Sequence, residues 1–280
     1  MKRVRNTIKT VFHGSVNLLL LLFSVTCIFP VLWVLNSSLR TNGEFLANSF
    51  CFPEKLHWEN YDKAINNMNL GVNFRNSSYL TAISLFFIIV FALGVGYFLA
   101  RYDFPGKKAV YGMFLSGLIV PTIALMIPVF MMFNKVGMLN HWYTLLFPYV
   151  AFNMPLSIIL IENFIHTIPK EMDESAKIDG ASRIQLIARI ILPLTKPMIA
   201  TLVILNMMNI WNEFPFALIL LRSPELMPIS VGLSSFKSMY SFDYTLYMAG
   251  IIVAILPVII VYIIGSRQII ESMTIGAVKG

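Results

Sequence analysis

The sequence predicts an all-α integral membrane protein with six transmembrane helices. Of its 280 residues, 57% are hydrophobic and 12% are charged, and the mean hydropathy is +0.74. This composition is more apolar than that of an ordinary globular domain. The apolar residues form six long runs, and most Lys and Arg residues fall in alternate connections between them. We therefore expect residues 1–280 to form a single membrane domain embedded in a lipid bilayer.

Each apolar run is long enough to cross a hydrocarbon core of about 30 Å, which takes roughly 20 helical residues. The runs cover residues 16–39, 80–100, 109–133, 143–165, 198–221 and 245–265. The first run is too long for the apolar part of a signal peptide, and no small-residue cleavage site follows it. We expect it to be retained as a membrane anchor. In the third run, Pro121 and Pro128 should each tend to kink the helix, as a hinge or for shape alone.

The basic residues set the expected orientation, because connections rich in Lys and Arg stay on the cytoplasmic side. With the N-terminus inside, the inner segments are residues 2–9, 101–108, 166–197 and the C-terminal tail. Together they hold most of the 21 Lys and Arg residues. Both termini and the 166–197 loop are therefore expected in the cytoplasm. This distribution accounts for the net charge of +7 without a nucleic-acid partner.

The two cysteines predict neither a disulfide nor a metal site. Cys27 lies in the first apolar run and Cys51 in the first external connection. Their positions match none of the CxxC or Cys/His spacings that are typical of metal ligands.

The 166–197 loop is polar and unusually long for this chain. Pro169 suits the first turn of a helix. Acidic residues follow it where the positive end of the helix dipole favours them: Glu171, Asp173 and Glu174. These features predict a helix of about ten residues that begins near residue 170.

A second helix is predicted after Gly180, which suits the left-handed position that ends the first one. Ser182 and Gln185 form an S-x-x-Q capping box. Apolar residues with helical spacing then predict a face that packs under the membrane bundle: Ile184, Ile187 and Ile191, with Leu186 and Ile190 beside them.

We interpret the first loop helix as a docking element for a partner protein. A solvated linker would not need caps at both helices, and a short hairpin held against a membrane is a poor candidate for DNA binding. The predicted docking residues are Glu171, Glu174, Ser175, Ala176, Asp179 and Gly180.

The spacing in this loop resembles the EAA loop of bacterial ABC importer permeases: Glu174-x-Ala176-(x3)-Gly180-(x9)-Ile190-x-Leu192-Pro193. Two further segments narrow the resemblance to the carbohydrate-uptake, MalG-like branch: Trp211-Asn212-Glu213-Phe214 and the tail Gly276-Ala277-Val278-Lys279-Gly280. Ser175 stands where the family often has Ala.

The resemblance implies a permease subunit of an ATP-driven, binding-protein-dependent importer of a sugar or oligosaccharide, in a bacterial cytoplasmic (inner) membrane. The helix at 170–179, between spans 4 and 5, would be a coupling helix seated in a groove of an ATPase, and the tail would also approach the ATPases. The implied partners are a homologous permease in a heterodimer, two ATPase subunits and an extracytoplasmic sugar-binding protein. Because the chain lacks a G-x-x-x-x-G-K-[ST] loop, we expect no cofactor on it, and ATP and Mg on the ATPase. The chain itself would not be an enzyme.

Polar side chains inside a span are costly, which makes them functional candidates. The fifth run concentrates them, and Asn206, Asn209 and Glu213 have the spacing of one helix face. Amides and carboxylates can bond sugar hydroxyls, and an aromatic ring can offer an apolar face. The candidate pathway residues are Asn206, Asn209, Trp211, Asn212, Glu213 and, in the fourth run, Asn153. They either line a substrate pathway or tie helices together.

Other function classes fit less well. An ion-gradient-driven secondary transporter should carry acidic or His relays inside its spans, and these spans offer chiefly Glu213, with the histidines in or near loops. An intramembrane protease would need a Ser/His pair or paired Asp residues inside the spans, a pattern that the runs lack. Within the importer class, a non-sugar solute stays open because the docking loop is shared across substrates.

Overall fold

The computed structural model describes the backbone of residues 2–234 and 242–277, and the side chains of residues 13–66, 68–234 and 242–268. The described backbone is mainly helical and contains no β-strand. Residues 278–280 and the side chains beyond residue 268 lie outside this description, so it does not test the expectation that the tail approaches an ATPase.

The helices fall into two compact units, formed by residues 1–70 with 235–254 and by residues 71–234 with 255–280. In chain order they are α1 (Lys2–Ser38), α2 (Asn42–Ala47), α3 (Glu59–Asp62), α4 (Leu70–Arg101), α5 (Lys107–Ile119), α6 (Met126–Lys135), α7 (Leu146–His166), α8 (Glu171–Ile178), α9 (Arg183–Leu186), α10 (Leu192–Leu194), α11 (Lys196–Trp211), α12 (Pro215–Leu220), α13 (Ile229–Ser234) and α14 (Tyr244–Ala277). One-turn π or 3₁₀ segments lie at 63–67, 122–125, 187–191 and 224–226.

In the first unit, the chain folds back on α1 after its apolar stretch ends. Thr41 and Glu44 form a reciprocal capping box that opens α2. Arg40, almost fully buried, donates from Nη2 to the carbonyl oxygens of Glu44 and Asn48. The Trp33 indole donates to the Ser49 carbonyl at 2.9 Å. These bonds hold α2 against the end of α1.

The second unit has two apolar cores. One is built where α4, α7 and the segment 171–202 meet, and includes Tyr97, Ile161, Ile165, Ala176, Leu186, Ile191 and Leu202. The other includes Leu80, Ile88, Phe133, Leu145, Tyr149, Ile210, Phe216 and Leu220. Apolar side chains thus hold the helices of this unit together in two separate clusters.

Four helical stretches of the described residues are long and apolar enough to cross a membrane: His13–Ser38, Leu70–Arg101, Leu146–His166 and Tyr244–Gln268. Two bent pairs raise this to six if each pair is one span: Lys107–Ile119 with Thr122–Lys135, bent by 95°, and Arg183–Leu194 with Lys196–Trp211, bent by 78°. The described part of the chain therefore has several apolar candidate spans in a mainly helical backbone without β-strands.

The third predicted run is two helices and not one kinked helix. Val120 and Pro121 are extended, with ψ near 120° in both, because a residue before proline is pushed out of the α region. Pro128, by contrast, lies in the first turn of α6. A missing N–H costs no helical hydrogen bond there. The break between α5 and α6 therefore lies at Pro121 and not at Pro128.

Two other predicted runs differ from the observed helices. α4 begins at Leu70, ten residues before its predicted apolar run, because Asn76 and Ser77 are buried and bonded to the backbone of Glu225, Met227 and Ile229. The fifth run is interrupted after Trp211, and α12 starts at Pro215. Phe214, the residue before Pro215, has left the helical region with φ −122°.

Candidate functional site

The polar loop begins with α8 and turns at Gly180, as its sequence predicts. Gly180 has φ +79°, and its N–H donates to the Lys177 carbonyl while the Ala181 N–H donates to the Ala176 carbonyl at 3.0 Å. A Cβ on Gly180 would meet no atom within 4 Å. The backbone conformation, and not space, is therefore what requires glycine here.

The predicted capping box of the second loop helix is also confirmed. Gln185 N–H donates to Ser182 Oγ, and Ser182 N–H donates to Gln185 Oε1 at 2.8 Å. The predicted packing of Ile184 is wrong, since 80% of its surface is exposed, whereas Leu186 and Ile191 are buried. The cause is the π-turn at 187–191. Its i→i+5 bonds place residues five apart on one face, and this breaks the 3.6-residue pattern.

The proposed docking residues divide by exposure. Five of them are exposed: Glu171, Glu174, Ser175, Asp179 and Gly180. Ala176 is buried in the apolar core with Tyr97, Ile165 and Leu186. Its small side chain lets α8 lie close to the rest of the second unit.

Sequence reasoning missed two exposed apolar residues, one on each side of the Gly180 turn. Ile178 is 86% exposed and Ile184 is 80% exposed. These two side chains add apolar surface to an otherwise polar turn. The helical spacing of the apolar residues in the sequence had assigned Ile184 to the buried face, so its exposure was not predicted.

Sequence reasoning also missed a buried ion pair that fastens α8 to α4. Asp173, counted only as one of three acids in the first helical turn, is 4% exposed. Its Oδ2 accepts hydrogen bonds from Arg101 Nε at 3.1 Å and from the Tyr97 hydroxyl at 3.0 Å. Arg101 Nη2 also donates to the Ile168 carbonyl at 2.9 Å. Partners 72 residues apart carry no local signal of their pairing.

A cavity of about 420 Å³ lies within the second unit. It is lined by Thr122, Ile123, Pro148, Tyr149, Phe152, Asn153, Asn209, Ile210, Glu213, Pro215 and Phe216. Three predicted pathway residues, Asn153, Asn209 and Glu213, are thus brought together. Asn209 Nδ2 donates to Asn153 Oδ1 at 3.2 Å, which joins α11 to α7 at the cavity wall.

Glu213 has a structural role as well. Its carboxylate accepts from the first free N–H groups of α12, those of Phe216 at 2.7 Å and Ala217 at 3.1 Å, and from the Tyr149 hydroxyl at 3.0 Å. It therefore caps the helix that begins after the break at residue 214. The carboxylate and the rings of Tyr149, Phe152 and Phe216 face one cavity.

The other three predicted pathway residues do not line this cavity. Asn206 is buried and donates to Ser157 Oγ at 3.0 Å and to the Leu202 carbonyl. Trp211 is buried with its ring edge-on to Phe74 at 5.5 Å. Asn212 is exposed and donates to the Met208 carbonyl. Asn206 and Trp211 are placed to tie helices together.

A second acidic residue inside a predicted span also escaped the sequence analysis. Glu162, in the fourth run, is mostly buried and its Oε1 lies 2.9 Å from His166 Nε2, one turn later in α7. Within the part of the chain that the structure describes, there is no group of three or more His, Cys, Asp or Glu residues that could hold a metal ion. Glu162 and His166 form an isolated pair near the end of α7.

A family model described as the binding-protein-dependent transport system inner membrane component matches residues 92–269, which include both the loop and the cavity. This chain belongs to that family. The permease is 32% identical over 270 residues to the diacetylchitobiose uptake system permease protein of Streptomyces coelicolor, covering 96% of this chain and 89% of the relative. It is 31% identical over 252 residues to the melibiose/raffinose/stachyose import permease protein of Bacillus subtilis, covering 90% and 91%.

The fold of the permease also matches that of a solved chain. The crystal structure of a bacterial ABC transporter involved in the import of the acidic polysaccharide alginate contains a chain that matches with a TM-score of 0.80 and 24% identity, over 92% of this chain and 96% of that one. At that identity the likeness shows the fold alone. The resemblance drawn from the loop spacing is confirmed, and the chain is an inner-membrane component of a binding-protein-dependent transport system.

Proposed function

We propose that the permease is a membrane-spanning subunit of an ATP-driven importer for a sugar or oligosaccharide. Its similarity, over 90% or more of its length, to relatives named for diacetylchitobiose uptake and for melibiose, raffinose and stachyose import carries this proposal. The cavity supports it, because two amides, a carboxylate and three aromatic rings match hydroxyl groups and the apolar faces of a sugar ring. Asn153, Asn209 and Glu213 are the proposed contacts.

The proposed topology has six spans in one membrane domain, with both termini and the 166–197 loop in the cytoplasm. The third span is the broken pair α5 and α6, and the fifth is α11 followed by α12. The four long apolar helices and the bent pair α5 and α6 support five of these spans, and α11 (Lys196–Trp211), one arm of the second bent pair, supports the fifth in chain order. The clustering of Lys and Arg in alternate connections supports the orientation.

The proposed partners are a homologous permease, two ATPase subunits that bind ATP and Mg, and an extracytoplasmic sugar-binding protein. The chain carries no ATP and no other cofactor in this scheme, and it is not an enzyme. α8 is the proposed coupling helix. Its exposed face and the following turn carry acidic residues, Glu171, Glu174 and Asp179, and two apolar ones, Ile178 and Ile184. Protein interfaces combine apolar and polar side chains in this way.

In the proposed cycle, ATP binding draws the two ATPases together and moves the seated α8 as a lever. The permease pair changes from inward-facing to outward-facing, and hydrolysis resets it. The proposed role of this chain is to convert a displacement at residues 171–180 into a change of access at the cavity.

The first test is purification of the tagged chain in mild detergent, with mass spectrometry of the proteins that accompany it and ATPase assay of the eluate. The complex is then placed in vesicles with a sugar-binding protein and tested for uptake of diacetylchitobiose, melibiose, raffinose and stachyose, with and without internal ATP. Methionine and a dipeptide serve as non-sugar probes.

We expect a second permease, an ATPase and ATP-dependent uptake of at least one sugar. Uptake of methionine or the dipeptide in place of every sugar would overturn the substrate class. A chain that purifies folded but without an ATPase, and that accumulates solute when a proton or sodium gradient is imposed, would overturn the importer and favour a secondary transporter.

A further inference from the structure

We infer that Tyr97, Arg101 and Asp173 form the link through which the coupling helix α8 moves the membrane helix α4. This inference rests on the proposed function, since it assumes that α8 is the element that the ATPase displaces. The three residues position α8 on α4, and they contact neither the ATPase nor the sugar in the proposed cycle.

Both donors come from one face of the last turn of α4. Arg101 is its final residue and Tyr97 lies four residues earlier, a spacing that places two side chains next to each other on a helix. Both reach the same atom, Asp173 Oδ2. Arg101 Nη2 also donates to the carbonyl oxygen of Ile168, which lies in the connection that leads into α8. The end of α4 is therefore bonded to the start of the 166–197 loop at two points, Ile168 and Asp173.

Burial makes the contact between Arg101 and Asp173 costly to break. The side chains of Arg101 and Asp173 are each 5% exposed. Separating them would leave a charged group buried without its partner, which costs far more than parting two solvated charges. The neighbouring pair Lys107 and Asp103 shows the contrast, because Asp103 is 96% exposed there and the pair can open into water. Displacement of α8 should therefore carry the end of α4 with it.

Only one of the two carboxylate oxygens of Asp173 takes part in the contact. Among the described residues none donates to Asp173 Oδ1, although that atom is buried. An arginine that bonded both carboxylate oxygens would hold the carboxylate in one plane. Both donors instead meet at Oδ2, which ties the first turn of α8 to the last turn of α4 at one carboxylate oxygen.

α4 is suited to carry the motion. It is a single helix of 32 residues without an internal proline, so it spans about 48 Å at 1.5 Å per residue. Close to Arg101 it lies against α7, since a Cβ on Gly96 would come within 2.7 Å of the Ile161 side chain. At its other end Asn76 donates to the carbonyl oxygens of Glu225 and Met227. A stiff rod thus joins the coupling loop to the segment that follows α12.

The test measures sugar uptake per ATP hydrolysed in vesicles, using a sugar that the unmodified complex accumulates. Tyr97→Phe keeps the ring and removes one donor, and Asp173→Asn keeps the shape and removes the charge. Asp103→Asn is the matched control, an exposed acid two residues after α4. Each variant is first checked for co-purification with the ATPase.

We expect uptake per ATP to fall about tenfold in Asp173→Asn and about threefold in Tyr97→Phe, as when a coupling free energy between two sites is lost. ATPase co-purification should persist, and Asp103→Asn should match the unmodified complex. If Asp173→Asn and Tyr97→Phe both keep the unmodified ratio, the link is refuted.

A double variant covers the case in which Asp173→Asn does not fold. Arg101→Met with Asp173→Leu removes both charges and leaves none unpaired, a change that often preserves stability. We expect this double variant to assemble and yet to hydrolyse ATP with little uptake. Normal uptake per ATP in it would show that the cluster only stabilises the fold. An unmodified complex that hydrolyses ATP but imports no sugar would instead overturn the proposed function.

Discussion

The 166–197 loop and the polar cavity belong to the same unit, yet they are built in different ways. Around the Gly180 turn of the loop, the groups that bond each other are neighbours: Ser182 and Gln185 are three residues apart, and the Gly180 N–H donates to the Lys177 carbonyl. In the cavity, partners come from separate helices, as with Tyr149 and Glu213, 64 residues apart. Local capping chemistry shapes the turn of the loop, whereas packing of distant helices brings Tyr149, Asn153, Asn209 and Glu213 to one cavity. Substitutions should therefore act on coupling in the first region and on solute preference in the second.

The largest effect is expected at the Gly180 turn. Gly180→Pro imposes φ near −65° where the chain needs +79°, and a proline placed against its preferred conformation costs about 3 kcal/mol or more. Uptake should be abolished while the chain stays in the membrane, as judged by vesicle uptake and membrane fractionation. Gly180→Asn is the control, because asparagine tolerates positive φ, and it should keep most uptake. Normal transport by the proline variant would count against a coupling role for the turn.

The next largest effect should come from the exposed isoleucines. Ile178→Asp and Ile184→Asp place a charge where water already reaches the side chain, so the thermal stability of the isolated chain should hardly change. Binding to the ATPase should weaken by about tenfold or more, the cost of losing an apolar contact of roughly 1.5–3 kcal/mol. Pull-down yield measures it. Ile191→Asp, at a buried position of the same loop, should instead lower stability. Unchanged ATPase recovery in both exposed variants would remove these residues from the docking surface.

A matched pair of neighbours on α8 separates packing from docking. Ala176 is buried and Ser175 is exposed. Ala176→Leu should destabilise the chain by about 1–3 kcal/mol through overpacking, and uptake should fall with it. Ser175→Leu should leave stability within about 0.5 kcal/mol. Thermal unfolding in detergent compares the two, and an equal loss in both would mean that α8 does not lie as the structure has it.

The smallest effect on assembly is expected at the cavity. Glu213→Ala with Asn209→Ala should alter the rate or the order of preference among diacetylchitobiose, melibiose, raffinose and stachyose, with the ATPase still bound. Loss of the Glu213 cap should cost about 1 kcal/mol of stability, and Asn209→Ala alone should cost less, since Asn209 is exposed. Asn206→Ala, outside the cavity, should lower stability without changing preference. Unchanged uptake of all four sugars by the double variant would leave the cavity residues a purely structural role.

Local signals in the sequence predicted the first helix, the turn and the capping box of the 166–197 loop. The helix at 171–178, the left-handed glycine and the S-x-x-Q box each depend on backbone groups a few residues away, so their chemistry is readable in a short window. The same reading failed at Ile184, because a π-turn changed the period downstream. It succeeded only partly at the third run, where Pro121 broke the helix and Pro128 did not.

Hydropathy, the pattern of basic residues and the loop spacing by themselves determined that this chain is a helical membrane permease of its family. These properties depend on composition and on local backbone chemistry, and both can be derived from the residues of short segments. The tertiary structure alone decided which polar residues meet: that Glu213 caps α12 beside a cavity, that Trp211 and Asn206 pack, and that Asp173 is bound by Arg101 and Tyr97. A charge or an amide carries no mark of a partner many turns away, because the pairing is set by the packing of whole helices.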